Sequence, residues 1–182
     1  MRKILTIFCL VFVVGCGYKP TSKIVNDIMP NSVFVDVVMS KTDPQNTVAI
    51  KDAVKTGIVQ RLGRNLADKK SADTQIIASI KKLSFSALAY DQFGYITTFR
   101  TNLTLNFKTQ LANGEIFSKD CVGDYDFKVS KLVKSVRDTS SVISDKDRFT
   151  AIENSSIQAF DEFISALAVK GLKIESANLS SK

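Results

Sequence analysis

Histidine is absent from this 182-residue chain. With it go the commonest general base and the commonest metal ligand available at neutral pH. No glycine-rich phosphate loop, no Ser/His/Asp set and no Cys/His metal spacing appears, and nothing in the sequence selects a Ser-Lys mechanism. The expectation is therefore no catalytic, cofactor-binding or metal-ligating residue, and a protein that is not an enzyme. Cysteine is scarce at three, and Cys9 and Cys16 lie too close to the N-terminus, in apolar sequence, to pair sensibly with Cys121. The apolar run from Ile4 to Val14 is too short to span a bilayer, which needs about 20 residues. No internal repeat is visible.

What is present starts with that run. Arg2 and Lys3 precede it, Gly15 and Cys16 close it, and no carboxylate stands before Cys16. Positive charge, apolar length and a small residue in that order are the pattern of a secretory signal. Val13-Val14-Gly15-Cys16 resembles the bacterial lipoprotein lipobox. The resemblance implies cleavage before Cys16 and acylation of its thiol and amine, with palmitate among the acyl chains. At about 0.8 kcal/mol per buried methylene, several chains together anchor a protein stably. Gly17 after the cysteine resembles lipoproteins sorted to the outer membrane. Cys9 then leaves with the signal, Cys16 is blocked, and Cys121 stands alone as a small core residue. The formal charge is +7, and losing Arg2 and Lys3 leaves a mildly basic +5, which calls for no nucleic acid.

The remaining pattern is that of one ordinary domain. Residues 16–31 carry two prolines and read as the lipidated cysteine and a tether. A short β-branched strand follows at 33–39. A helix over Val48–Ala67, capped by Asn46 or Thr47, shows its apolar face at Ala53, Val54, Ile58, Val59, Leu62 and Leu66. Strand character restarts at Thr74, and after the turn "YDQFGY" the segment Phe99–Leu111 alternates with one wet face of Arg100, Asn102, Thr104, Asn106, Lys108 and Gln110. Phe117, Cys121, Tyr125, Phe127 and Val129 form the next inward set. Matching faces requires a three-residue loop, Ala112-Asn113-Gly114, which sets Leu105 opposite Cys121, Phe99 opposite Phe127 and Arg100 opposite Asp126. Residues 130–144 read as an irregular connection. A closing helix from Asp145 to Lys170, capped by Ser144 and stopped by Gly171, shows Phe149, Ile152, Phe160, Phe163, Ile164 and Leu167 inward. The expected fold is α+β: a two-layer α/β sandwich in the order β-α-β-β-β-α, with a four-stranded mixed sheet and two helices on one face. In domain terms, residues 1–15 are the signal, 16–31 the tether, 32–172 the sandwich and 173–182 a disordered tail.

Two surface constellations carry candidate roles. Asp120, Asp124 and Asp126 share a strand face and are expected to pair across strands rather than to hold calcium. Lys128, Lys131, Lys134 and Arg137 recur every third residue, with Lys146 and Arg148 nearby. Lys146, Arg148, Lys131, Lys134 and Arg137 are the candidate contacts for lipopolysaccharide or other anionic lipid. Tyr90, Phe93 and Tyr95 are expected to cap the end of the sheet.

The order of lipobox, tether, strand and helix, then "LGRNLADKKSADTQIIASI", two long alternating strands and "ENSSIQAFDEFISALA", resembles the LptE family of lipopolysaccharide-assembly lipoproteins. The resemblance covers residues 13 to about 172. It implies a non-enzymatic partner of the outer-membrane β-barrel LptD, which plugs the barrel and helps deliver lipopolysaccharide to the surface of a Gram-negative cell. The wet face of Phe99–Leu111 suits a water-lined barrel interior. The family tends to carry a basic lipopolysaccharide contact at the tip between the second and third strands. Here the tip reads "YDQFGY", with Asp91 and no Lys or Arg, so that contact does not carry over. Lys146 lies near another basic position of the family. The alternative expectation is a periplasm-facing regulator or scaffold on the same anchor, for example of peptidoglycan synthesis.

Overall fold

The computed structural model describes residues 21–29, 31–38, 44–111, 113–133 and 143–180. The lipobox with Cys16, and also Lys134 and Arg137, lie outside the described residues, as does the side chain of Lys131.

β1 (Ser32–Val37) alternates in burial residue by residue. It lies parallel to the two-residue β2 (Asn65–Leu66) on one side and parallel to β3 (Thr74–Tyr90) on the other. β4 (Ile96–Gln110) and β5 (Ile116–Val133) complete an antiparallel meander, giving the order β2-β1-β3-β4-β5. The α+β class and the mixed sheet are as expected, but the sheet has five strands rather than four. The extra strand, β2, is only two residues long and has no alternating pattern to announce it.

The long hairpin keeps the register that the sequence dictates. Leu105 faces Cys121, Phe99 faces Phe127 and Arg100 faces Asp126. Leu111 N–H donates to the Glu115 carbonyl at 2.8 Å across the three-residue loop, where Gly114 has φ 83°. Only a residue without Cβ adopts that left-handed conformation at little cost. β5 runs on to Val133, so the expected irregular connection from 130 begins later than its composition suggested.

All helices share one core with the inner sheet face. α1 (Thr21–Ile28) buries Ile24, Val25 and Ile28, with neighbouring Met29 also buried, so residues 21–28 form a packed helix where a tether was expected. α2 (Pro44–Gly57) starts earlier than expected, with Pro44 at the first position, where its missing N–H costs nothing. Asn46 and Thr47 are accordingly buried helix residues, not caps. A π-helical turn, Ile58–Leu62, continues it until Gly63 at φ 60° ends the run.

α3 (Asp145–Ser180) is capped as expected: Ser144 Oγ accepts the Asp147 N–H at 3.1 Å and donates to the Asp147 carboxylate at 2.7 Å. Gly171 does not stop α3. An added Cβ there would stand 2.9 Å from Ile24 Cγ2, so the glycine admits α1 against the helix. The helix carries on through most of the segment expected as a disordered tail.

Phe107 sits at the centre of the core, with ring centroids 4.9 Å from Phe163 and 5.7 Å from Phe160. A smaller cluster of Ile96, Phe99, Phe127, Ile143 and Ala151 fills the far end, between the hairpins and the start of α3. Cys121 is fully buried in the main core, and burial, aided by the Glu162 charge, pushes its thiol up to about 12. Alkylation at pH 8, followed by mass mapping of the Cys121 peptide, should leave this thiol unmodified in native protein and modify it fully in guanidinium. Rapid native modification would show that the inner sheet face is open.

Candidate functional site: the outer sheet face

With helices on one side only, the other side of β3–β4–β5 is open, polar along β4 and interrupted by exposed Ile77, Val122 and Ile116 on the flanking strands. Side chains on the pleat alternate, so Arg100, Asn102, Thr104, Asn106, Lys108 and Gln110 all project from β4 onto this face. Their opposite numbers come from β5 by the same register: Asp126, Asp124, Val122, Asp120, Ser118 and Ile116.

The polar groups are tied into a cross-strand network. Arg100 Nε and Nη2 donate to the two carboxylate oxygens of Asp126 at 2.6 and 2.7 Å, and Asp124 lies 3.9 Å away. This fork lowers the Asp126 carboxyl below the usual carboxylate range and raises the guanidinium. Asn106 Nδ2 donates to Asp120 at 2.6 Å and to Ser118 Oγ at 3.2 Å. Asn102 Nδ2 donates to Ser86 Oγ on β3 at 3.1 Å. All three aspartates thus meet partners across the strands, Asp126 and Asp120 by hydrogen bonds and Asp124 by a longer ion pair with Arg100.

β5 is an edge strand, and α3 crosses its middle closely. Cβ on Gly123 would overlap the Ser155 carbonyl. Flanking that crossing, the Val122 N–H donates to Glu162 at 2.8 Å and the Asp124 N–H to Gln158 Oε1 at 2.6 Å. The Glu162 carboxyl is held below its ordinary range, first by the Val122 N–H and then by Lys119, 3.0 Å away. Stability from this lowered group is present above its unfolded value and is lost as pH falls through its folded one. Glu162→Ala should cost about 1 kcal/mol at pH 7, allowing for solvent screening. Urea midpoints measured at pH 7 and pH 3 should show the deficit shrinking at the lower pH. An equal deficit at both would assign the loss to packing instead.

The candidate basic contacts are not brought together on this face. Lys146 is exposed on the first turn of α3. Arg148 turns inward, its guanidinium carbon 5.3 Å from the Phe85 ring centroid, and so supports the far core cluster. Lys131 belongs to β5. The aromatic tip does not cap the sheet end: Phe93 is 67% exposed and Tyr90 56%. Asp91 has a local role there, its Oδ1 accepting the Phe93 and Tyr95 N–H groups at 2.9 and 2.8 Å. Sequence reasoning missed Glu162 and Gln158, because a helix side chain that caps a strand edge leaves no periodic signal.

Among the described residues no group of His, Cys, Asp or Glu could hold a metal ion, and no helix is long and apolar enough to cross a membrane. Fold and surface together define a class: a helix-backed sheet whose other face carries cross-strand-bonded polar side chains. The chain belongs to the LptE lipopolysaccharide-assembly family, whose profile matches residues 31–167. That is a family of non-enzymatic lipoproteins, and its members act in lipopolysaccharide assembly.

Comparison with curated proteins returns no match. Among solved structures, the chain is similar to a putative lipoprotein from Caulobacter crescentus (10% identity, 83% of this chain and 94% of that one, TM-score 0.48). It is also similar to the rare lipoprotein B from Shewanella oneidensis (13% identity, 80% and 99%, TM-score 0.45). A third similar structure is an uncharacterised lipoprotein B from Nitrosomonas europaea (12% identity, 80% and 89%, TM-score 0.34).

Proposed function

We propose that this protein is an outer-membrane lipoprotein, anchored through acylated Cys16, that seats its domain in the lumen of the LptD β-barrel and assists lipopolysaccharide delivery to the cell surface. The observation that carries this reading is the outer sheet face. Its β4 side chains are all polar, and several are already bonded across the strands, with the Arg100 charge met by Asp126, so they can lie against a water-lined barrel wall. Membership of the lipopolysaccharide-assembly family supports the same reading. Lys146, exposed at the start of α3, remains the candidate lipopolysaccharide contact, together with Lys131, Lys134 and Arg137. Arg148, packed on Phe85, is a weaker candidate on geometry.

The test is photocrosslinking in intact cells from Asn102 or Thr104, followed by identification of the captured protein. A large outer-membrane β-barrel is expected from these positions and not from exposed Glu175 on the helical side. Capture of an inner-membrane peptidoglycan synthase, or of no barrel, would overturn the proposal.

A further inference from the structure

The two edges of the sheet are finished differently. At β5 the outward N–H groups of Val122 and Asp124 are taken by α3 side chains. At the opposite end, β2 pairs with β1 only through Ser32 and Val33, and the last contact is the Ala67 N–H to the Val33 carbonyl at 3.0 Å. Even-numbered residues of β1 turn their backbone toward β3, as the Val38 N–H to the Ala78 carbonyl shows. By alternation Val35 and Val37 turn theirs outward, past the end of β2. The Val37 N–H is held by the adjacent Asp36 carboxylate at 3.0 Å. Val35 lines a groove of about 620 Å³, and by the same alternation its N–H and carbonyl and the Val37 carbonyl point away from β3.

Two lysines govern that groove. Lys51 and Lys55 stand one helical turn apart on α2 and line it together with Phe34, Leu66 and Asp68. Neither lysine forms an ion pair among the described residues. A second copy of this edge would bring the same two cations with it, and the residues around Cys16, "GCGYKP", carry no acid.

We propose that the β1 edge beside Lys51 and Lys55 is a docking site for an extended acidic segment of a partner protein, which adds as a short strand. Main-chain hydrogen bonds to Val35 and Val37 give the pairing. Carboxylates on the strand meet the two lysines, and its apolar side chains rest on Phe34. The site is independent of the outer-face reading, since it lies on a different border of the sheet.

The probe is an eight-residue peptide of alternating valine and glutamate, titrated into the purified acylated protein in detergent and followed by amide chemical shifts. Binding should shift the Val35 amide and weaken as salt is raised. Lys51→Glu with Lys55→Glu, checked for fold by circular dichroism, should weaken it about tenfold, while a valine–lysine peptide should gain affinity on that variant. N-methylation of alternate peptide amides should abolish binding to the wild type. Equal binding of the methylated peptide would reduce the site to a charged surface, and equal binding of the lysine peptide to the wild type would remove the role of Lys51 and Lys55. Concentration-dependent dimerisation that the acidic peptide displaces would give the edge to a second copy. Any of these three results overturns the proposal.

Discussion

Phe107→Ala should lower the melting temperature by on the order of 10 °C, with a loss of about 4 kcal/mol. The ring is fully buried at the meeting point of β4 and α3 and touches Phe160 and Phe163. Removing it deletes apolar contact and leaves a cavity walled by two large rings on a rigid helix, which cannot collapse to fill it. Phe107→Leu, which keeps most of the volume, should recover more than half of the loss. Equal losses for both substitutions would show that the site depends on aromatic geometry rather than volume.

The second large effect belongs to Gly123. Gly123→Ala should cost about 3 kcal/mol, although alanine normally suits a strand at least as well as glycine. The added Cβ collides with a main-chain carbonyl of α3, that of Ser155, so the helix must lift off β5. Lifting it also stretches the Val122–Glu162 and Asp124–Gln158 bonds. Because the obstacle is backbone, Ser155→Gly should give no rescue in the double variant. Thermal unfolding of the three proteins decides it, and a neutral or stabilising Gly123→Ala would mean that α3 rides higher over the strand.

How much of this was legible follows from what each segment's signal depends on. The β4–β5 register was fixed by parity, since only a three-residue loop puts Phe99 and Leu105 on the same side as Phe127 and Cys121. The outer polar face was legible for the same reason, because a period of two is local. α1 was not. Its apolar positions, Ile24, Val25, Ile28 and Met29, do have helical spacing, but they fill barely two turns between Pro20 and Pro30. What holds such a short helix is its seat against Gly171, nearly 150 residues away. Gly171 itself was misread for the complementary reason: a glycine in a helix looks like a stop until the neighbour that occupies its missing side chain is known. Closeness in sequence groups Lys146 with Arg148, yet Arg148 spends its guanidinium on Phe85 while Lys146 points to solvent.

The unequal borders of the sheet limit what the molecule can build. A fibre of sheets needs each chain to offer two complementary borders, one to receive and one to give. Here the middle of the β5 border is occupied by the chain's own helix, so any strand that joins at β1 finds no equivalent place on the far side. A copy that joined at β1 would therefore not meet a matching open border at the middle of β5, where the Val122 and Asp124 N–H groups are already taken.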